Sequence, residues 1–184
     1  MWDLAAGPFL AAAGLLVVAG VPKIVDPLPL VRALRAAGMP AGRLLVRAFA
    51  VAEVGVGGWA LTAPGRLSAA LVAAAYLVFT AFVARVHGRG GVLGSCGCFG
   101  KPDTPATRSH LALTAVAALT ALAVAVDAPV GVWSDVDTAG LTTAGLAVVI
   151  GFLAWQVMAV LPTTSPVAIR SSVAPTRPSS TTKD

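Results

Sequence analysis

The chain has few charged residues. Only 11% of its 184 residues are Asp, Glu, Lys or Arg, whereas 57% are hydrophobic. A soluble domain typically has about 25% charged residues, so this composition excludes an ordinary soluble protein and indicates an integral membrane protein. The 13 bases outnumber the 8 acids, but they lie in short stretches beside apolar runs. We therefore expect membrane lipid around them, and predict no nucleic-acid partner.

The chain contains long apolar runs. A helix needs about 20 such residues to cross the hydrocarbon core of a bilayer. The runs are rich in Ala and Leu and lack the alternation of barrel strands, which leaves helices as the only assignment. Five transmembrane helices are predicted, at Leu4–Val21, Leu44–Leu61, Leu67–Ala84, Leu111–Val126 and Ala139–Leu161. The predicted fold class is thus all-α, an integral membrane helical bundle.

The chain is predicted to hold one domain and a tail. Residues 1–161 form the transmembrane helical domain, and residues 162–184 are rich in Ser, Thr and Pro, which predicts disorder. Between the first two runs, residues 28–37 carry apolar residues on one face and two arginines on another, which predicts a short amphipathic helix at the membrane interface. No basic residue precedes the first run, so we expect an uncleaved span, not a signal peptide.

The bases alternate between the two sides of the predicted bundle. The base-rich connections hold Lys23, Arg32, Arg35, Arg43 and Arg47 after the first run, and Arg85, Arg89, Lys101 and Arg108 after the third. The connection between them has the single base Arg66, and the one after the fourth run has none. The positive-inside rule then predicts an amino terminus outside the cell and a cytoplasmic third connection.

Cysteine is scarce, and its placement is informative. The only two, Cys96 and Cys98, lie in the third connection, in Ser95-Cys96-Gly97-Cys98-Phe99-Gly100. A disulfide between them would close a very small loop, so it would stabilise the fold little, and its strain would make it easy to reduce. The pattern predicts a redox-active dithiol, with both cysteines as the catalytic residues of a membrane thiol–disulfide oxidoreductase.

Thiol exchange requires a thiolate, which nearby positive charge favours. Arg89, Lys101 and Arg108 are close in sequence to the cysteines, and we expect them to stabilise that thiolate. The sequence predicts no cofactor with certainty other than the dithiol itself.

With the loop in the cytoplasm, the pair would take reductant from a thioredoxin-like partner and pass it outward. With the loop outside, a quinone-linked oxidant is the natural counterpart.

Two other interpretations of the cysteines stay open. In one they are simply small hydrophobic residues. In the other they bind metal, since Cys96, Cys98, His87 and His110 together offer two sulfurs and two nitrogens for zinc, or the sulfurs alone could hold copper(I). The protein would then be a non-enzymatic membrane accessory or metal-binding protein.

A carboxyl group deep in the membrane is the second informative feature. Glu53 lies about nine residues into the second run, or roughly 14 Å at 1.5 Å per residue, which is close to the midplane. A charged, unpaired carboxylate there costs about 3 kcal/mol or more, so a partner is expected. Lys23 is the first candidate and Arg47 the second. The pair would lock the first two spans together, or Glu53 would accept protons that dithiol oxidation releases.

The order of these motifs is similar to that of a known family. Gly20-Val21-Pro22-Lys23, Gly38-Met39-Pro40, Glu53 and Cys96-Gly97-Cys98-Phe99-Gly100 follow one another along the chain. This order resembles the methylamine utilisation MauE family, related in outline to DoxX-like membrane proteins, over about residues 1–160. The resemblance implies a four-helix core plus one helix, a role in maturing the disulfide-rich small subunit of methylamine dehydrogenase, and the thioredoxin-like MauD as partner.

Overall fold

The described part of the protein is built from helices. The structure is a computed structural model and describes residues 2–88, 108–127 and 138–160. Its elements are α1 (Trp2–Val25), α2 (Leu28–Ala36), α3 (Arg43–Thr62), α4 (Arg66–Gly88), α5 (Arg108–Val126), α6 (Thr138–Trp155) and a π-helical turn, Gln156–Val160. All of the α-helices except α2 are long and apolar enough to cross a membrane. The predicted all-α membrane bundle with five spans is therefore confirmed.

The first span is longer than predicted. The predicted span stopped at Val21, just before Pro22, but α1 continues through Pro22 and Lys23 to Val25. A proline inside a helix lacks the N–H of the ladder and crowds the carbonyl four residues before it, but the Pro22 carbonyl still accepts a hydrogen bond from the Asp26 amide at 2.8 Å. Because the helix continues, Lys23 belongs to a transmembrane helix and not to the following connection.

Helix α1 is the centre of the bundle. It packs against α3, α5 and α6, while α4 packs against α5 and α3. The main core lies where these helices meet and includes Phe9, Leu16, Tyr76, Val72 and Val124. The first four spans thus surround a shared interior, and α6 lies against α1.

Two glycines let α1 and α3 approach closely. A Cβ atom added at Gly57 would lie 2.6 Å from the Ala13 carbonyl oxygen, and one added at Gly20 would lie 3.0 Å from the Ala50 carbonyl oxygen. Such contacts leave no room for a side chain, which is how small residues allow membrane helices to pack backbone against backbone. Gly20 meets the middle of α3 and Ala13 meets its later part, so the two helices are antiparallel.

The predicted amphipathic helix is α2. The Asp26 carboxylate accepts a hydrogen bond from the Leu28 amide at 3.0 Å near its start. At its end Gly38 adopts a positive φ of 66°, and the next amide, that of Met39, bonds back to the Leu34 carbonyl at 2.9 Å, as in a Schellman motif. The apolar face is buried against α3 and α4, and Arg32 and Arg35 are exposed.

The last span differs in form from the prediction. It was expected as one helix over residues 139–161, but α6 ends at Trp155 and the π-helical turn follows. The predicted disordered tail, residues 162–184, lies outside the described residues.

Candidate functional site

A buried ion pair joins α1 to α3. The Lys23 ammonium donates hydrogen bonds to both carboxylate oxygens of Glu53, at 2.8 Å and 2.9 Å. The two side chains are 2% and 1% exposed. The structure therefore brings together the two residues that the sequence suggested as partners. Arg47, the second candidate, is exposed to the outside of the bundle.

Aromatic rings complete the surroundings of the pair. The Lys23 nitrogen lies 4.9 Å from the centre of the Phe79 ring, within the range of a cation–π interaction. Phe49 and Tyr76 each meet the Phe79 ring edge to face, with centroids 5.8 Å and 5.9 Å away. The positive charge is thus compensated by a carboxylate and a ring face, which is the kind of compensation that a buried charge needs.

Tyr76 adds a polar contact that the sequence analysis missed. Its hydroxyl donates a hydrogen bond to the Ala12 carbonyl oxygen at 2.8 Å, linking α4 to α1. Tyr76 is 4% exposed. The available signal was that this is the only tyrosine in the chain, placed inside an apolar run, where a hydroxyl requires a partner.

A small cavity of about 30 Å³ lies on one side of the ion pair. Its lining includes Lys23, Tyr76, His110, Thr114 and Met158, and its volume is sufficient for one water molecule. The buried His110 imidazole hydrogen-bonds the Met158 backbone. The cavity therefore connects the ion pair with the beginning of α5 and with the π-helical turn.

The other predicted site residues are divided between described and undescribed parts of the chain. Cys96, Cys98, Arg89 and Lys101 lie outside the described residues. Arg108 is exposed at the first position of α5, and His87 is exposed near the end of α4, whereas His110 is buried. Among residues 2–88, 108–127 and 138–160, no group of three or more His, Cys, Asp or Glu could hold a metal ion. Metal binding by the cysteines stays a prediction.

Comparison with known proteins now adds the family. The model of the methylamine utilisation protein MauE matches residues 1–134. The chain belongs to the MauE family. No curated protein and no solved structure matches it. The family match covers the stretch from α1 to the end of α5, and α6 follows the matched residues.

In this MauE-family protein, residues 89–107 form the cysteine segment, which joins α4 to α5. Phe82 and Val86 near the end of α4 pack with Ala33 of α2 and with Leu111 near the start of α5. Both attachment points of the segment therefore lie beside α2. The same end of the bundle carries Arg32, Arg35, Arg43, Arg85 and Arg108, and we call it the base-rich end. The protein is a multi-pass membrane protein of a family associated with methylamine utilisation.

Proposed function

We propose that the protein is a membrane thiol–disulfide oxidoreductase that acts in the maturation of exported proteins with disulfides during methylamine utilisation. The observation that carries the proposal is the placement of Cys96 and Cys98. They are the only cysteines in the chain, one residue apart, in a segment attached at the base-rich end. Membership of the MauE family supports the setting.

The proposed chemistry is exchange with a thioredoxin-like partner. A thiolate of the reduced pair attacks the partner's disulfide, so one sulfur–sulfur bond forms as another breaks and a partner thiolate leaves. The second cysteine then attacks this mixed disulfide. The pair ends oxidised as a Cys96–Cys98 disulfide, and the partner takes two electrons and two protons as a dithiol. The reverse sequence oxidises the partner, and relative potentials set the direction.

Charge at the base-rich end supports this proposal. Lysine and arginine near a thiol favour its thiolate, and five exposed arginines lie at that end. Arg89 and Lys101 within the cysteine segment, with Arg108 just after it, are the proposed stabilising residues. The positive-inside rule predicts that this end is cytoplasmic, so the proposed partner is a cytoplasmic thioredoxin-like protein that reduces the pair. To act on exported clients, this single pair must then become accessible from each face of the membrane in turn.

We assign a structural role to Lys23 and Glu53. The lysine satisfies both carboxylate oxygens, and each charge compensates the other inside the bundle. The geometry is that of a pair that holds α1 against α3. A proton-accepting role for Glu53 is the alternative, and it would require the carboxylate to release Lys23.

Trapping of a mixed disulfide tests the proposal. The variants Cys96→Ser, Cys98→Ser and the double variant are each produced in cells that hold the partner and the client. Loss of the resolving cysteine should leave the partner bound to the remaining cysteine, as a complex that a reductant dissolves. The double variant should trap nothing and should leave client disulfides immature.

Two results would count against the proposal. Client disulfides that mature normally in the double variant would exclude thiol exchange by this pair. Zinc or copper that stays with the purified wild-type protein, and is lost from the double variant, would instead favour a metal-binding accessory protein.

A further inference from the structure

A second cavity lies between α2, α3 and α4. Its volume is about 310 Å³, at the lower end of the usual range for small-molecule sites. The lining is almost wholly apolar and includes Leu30, Leu34, Val46, Phe49, Phe79 and Phe82. Lys23 also borders it, but its ammonium is bonded to Glu53. The chemistry of this lining suits hydrocarbon.

The cavity has an edge on the outer surface of the bundle. Leu45 of α3 and Val78 of α4 line the cavity, and they are 57% and 54% exposed. Both belong to helices that cross the membrane, so these exposed apolar side chains face lipid. A hydrocarbon chain could therefore pass from the bilayer between the two helices into the cavity.

Two of the helices that border this cavity, α2 and α3, also carry exposed arginines at the base-rich end. Arg32 and Arg35 lie on the exposed face of α2, and Arg43 and Arg47 are exposed on the first two turns of α3. No carboxylate in the described ranges forms an ion pair with any of the four. Of the acids in this region, Glu53 binds Lys23, and Asp26 accepts a hydrogen bond from the Leu28 amide.

We infer that this cavity and its four arginines form a binding site for one anionic phospholipid. An acyl chain fills the apolar cavity, and the phosphate lies among the guanidinium groups, whose planar donors match phosphate oxygens. The inference does not require thiol exchange, although Arg32, Arg35 and Arg43 also belong to the base-rich end. It gives the amphipathic helix α2 a specific ligand beyond its general affinity for the membrane interface.

The lining favours a phospholipid over a quinone. A quinone head has ring carbonyls that need hydrogen-bond donors, and the only charged donor on the lining, Lys23, already binds two carboxylate oxygens. The donors in this region are the arginines at the base-rich end, where a lipid phosphate lies. An apolar lining with exposed arginines on the helices that border it suits the two parts of an anionic phospholipid better than it suits a quinone.

Native mass spectrometry of the purified full chain tests the inference. The protein is titrated with phosphatidylglycerol or with phosphatidylcholine of the same acyl chains. We expect one tightly retained phosphatidylglycerol, bound about tenfold more strongly than phosphatidylcholine. Replacement of the four arginines by glutamine should abolish that preference.

Paired variants test the cavity itself. Val78→Trp narrows the entrance and should weaken retention about tenfold, whereas Leu77→Trp, at a neighbouring residue that is 49% exposed and does not line the cavity, should have no effect. If Val78→Trp fails to fold, Leu45→Trp serves the same purpose, with the exposed Leu44→Trp as its control.

Three outcomes would overturn the inference. These are equal retention of the two lipids, equal retention by the entrance variants and their controls, and displacement of the bound phosphatidylglycerol by a short-chain quinone.

Discussion

The Lys23 ammonium holds both carboxylate oxygens of Glu53, 30 positions further along the chain, at 2.8 Å and 2.9 Å. This one contact joins α1 to α3 in the interior of the membrane domain. Neither charge has an equivalent partner among the other described residues. We therefore expect the effects of the two side chains on the free energy of unfolding to be coupled.

Removal of either partner alone should destabilise the protein. Lys23→Met and Glu53→Leu each leave one buried charge without compensation, at a cost of about 3–5 kcal/mol in the free energy of unfolding. The double variant should return to within about 1 kcal/mol of wild type, because both charges are gone and Met suits the aromatic surroundings. Unfolding of the purified protein in mixed detergent micelles measures each value.

Simple addition of the two single effects in the double variant would show that the pair is not coupled. The double variant also separates the two proposed roles of the pair. If the pair is structural, cells that produce the variant with both Lys23→Met and Glu53→Leu should still mature client disulfides normally. A folded double variant that has lost this activity would assign a proton-transfer role to Glu53.

Gly57→Ala should weaken the contact between α1 and α3. The new Cβ would lie 2.6 Å from the Ala13 carbonyl oxygen, so the helices must separate, at about 1–3 kcal/mol. Gly58→Ala is the matched control, since a Cβ there meets nothing within 4 Å and alanine is the better helix former by up to about 1 kcal/mol. Equal unfolding free energies of the two variants would contradict the close approach at Gly57.

Tyr76→Phe should cost about 1 kcal/mol of unfolding free energy. The change removes only the hydroxyl that bonds to the Ala12 carbonyl at 2.8 Å, and the ring can keep its contact with Phe79. Thr62→Val removes a hydroxyl that bonds locally on an exposed part of α3, so we expect a change below about 0.5 kcal/mol. If both variants behave alike, the link from α4 to α1 adds no stability.

The orientation of the bundle can be measured by thiol labelling in intact cells. With the base-rich end in the cytoplasm, a membrane-impermeant reagent should reach Cys96 and Cys98 only after the cells are opened. The control is a single cysteine at the other end of the bundle. Ala63→Cys, at the exposed turn between α3 and α4, in a Cys96→Ser, Cys98→Ser background should react from outside. Strong outside labelling of the native cysteines would reverse the orientation and favour an oxidant role.

Hydropathy and charge were enough to predict much of this fold. Apolar runs of nearly the right length can only be helices in a bilayer, and the structure has them. The partner of Glu53 was also predictable, because an uncompensated carboxylate near the midplane is costly and Lys23 follows the first span closely. Both predictions rest on the same physics, because a polar group exposed to hydrocarbon without a partner is costly, whether it belongs to the backbone or to a side chain.

Details that depend on which helix face meets which neighbour were not predictable. Gly55, Gly57 and Gly58 lie on one helix and look alike in sequence, yet only Gly57 meets the backbone of α1. Tyr76 needed an acceptor, but nothing local pointed to Ala12, 64 positions away. The predicted first span stopped before Pro22, whereas α1 continues past it to Val25.

The ion pair also bears on how the first two spans insert into the membrane during synthesis. α1 leaves the ribosome before α3, so Lys23 exists as a transmembrane residue before its carboxylate has been synthesised. A lone ammonium is costly in hydrocarbon, and the long lysine side chain can reach toward the interface until a partner arrives. Full insertion of the end of α1 should therefore wait for α3. We therefore expect the end of α1 to insert together with α3, after the helix α2 that connects them has been made.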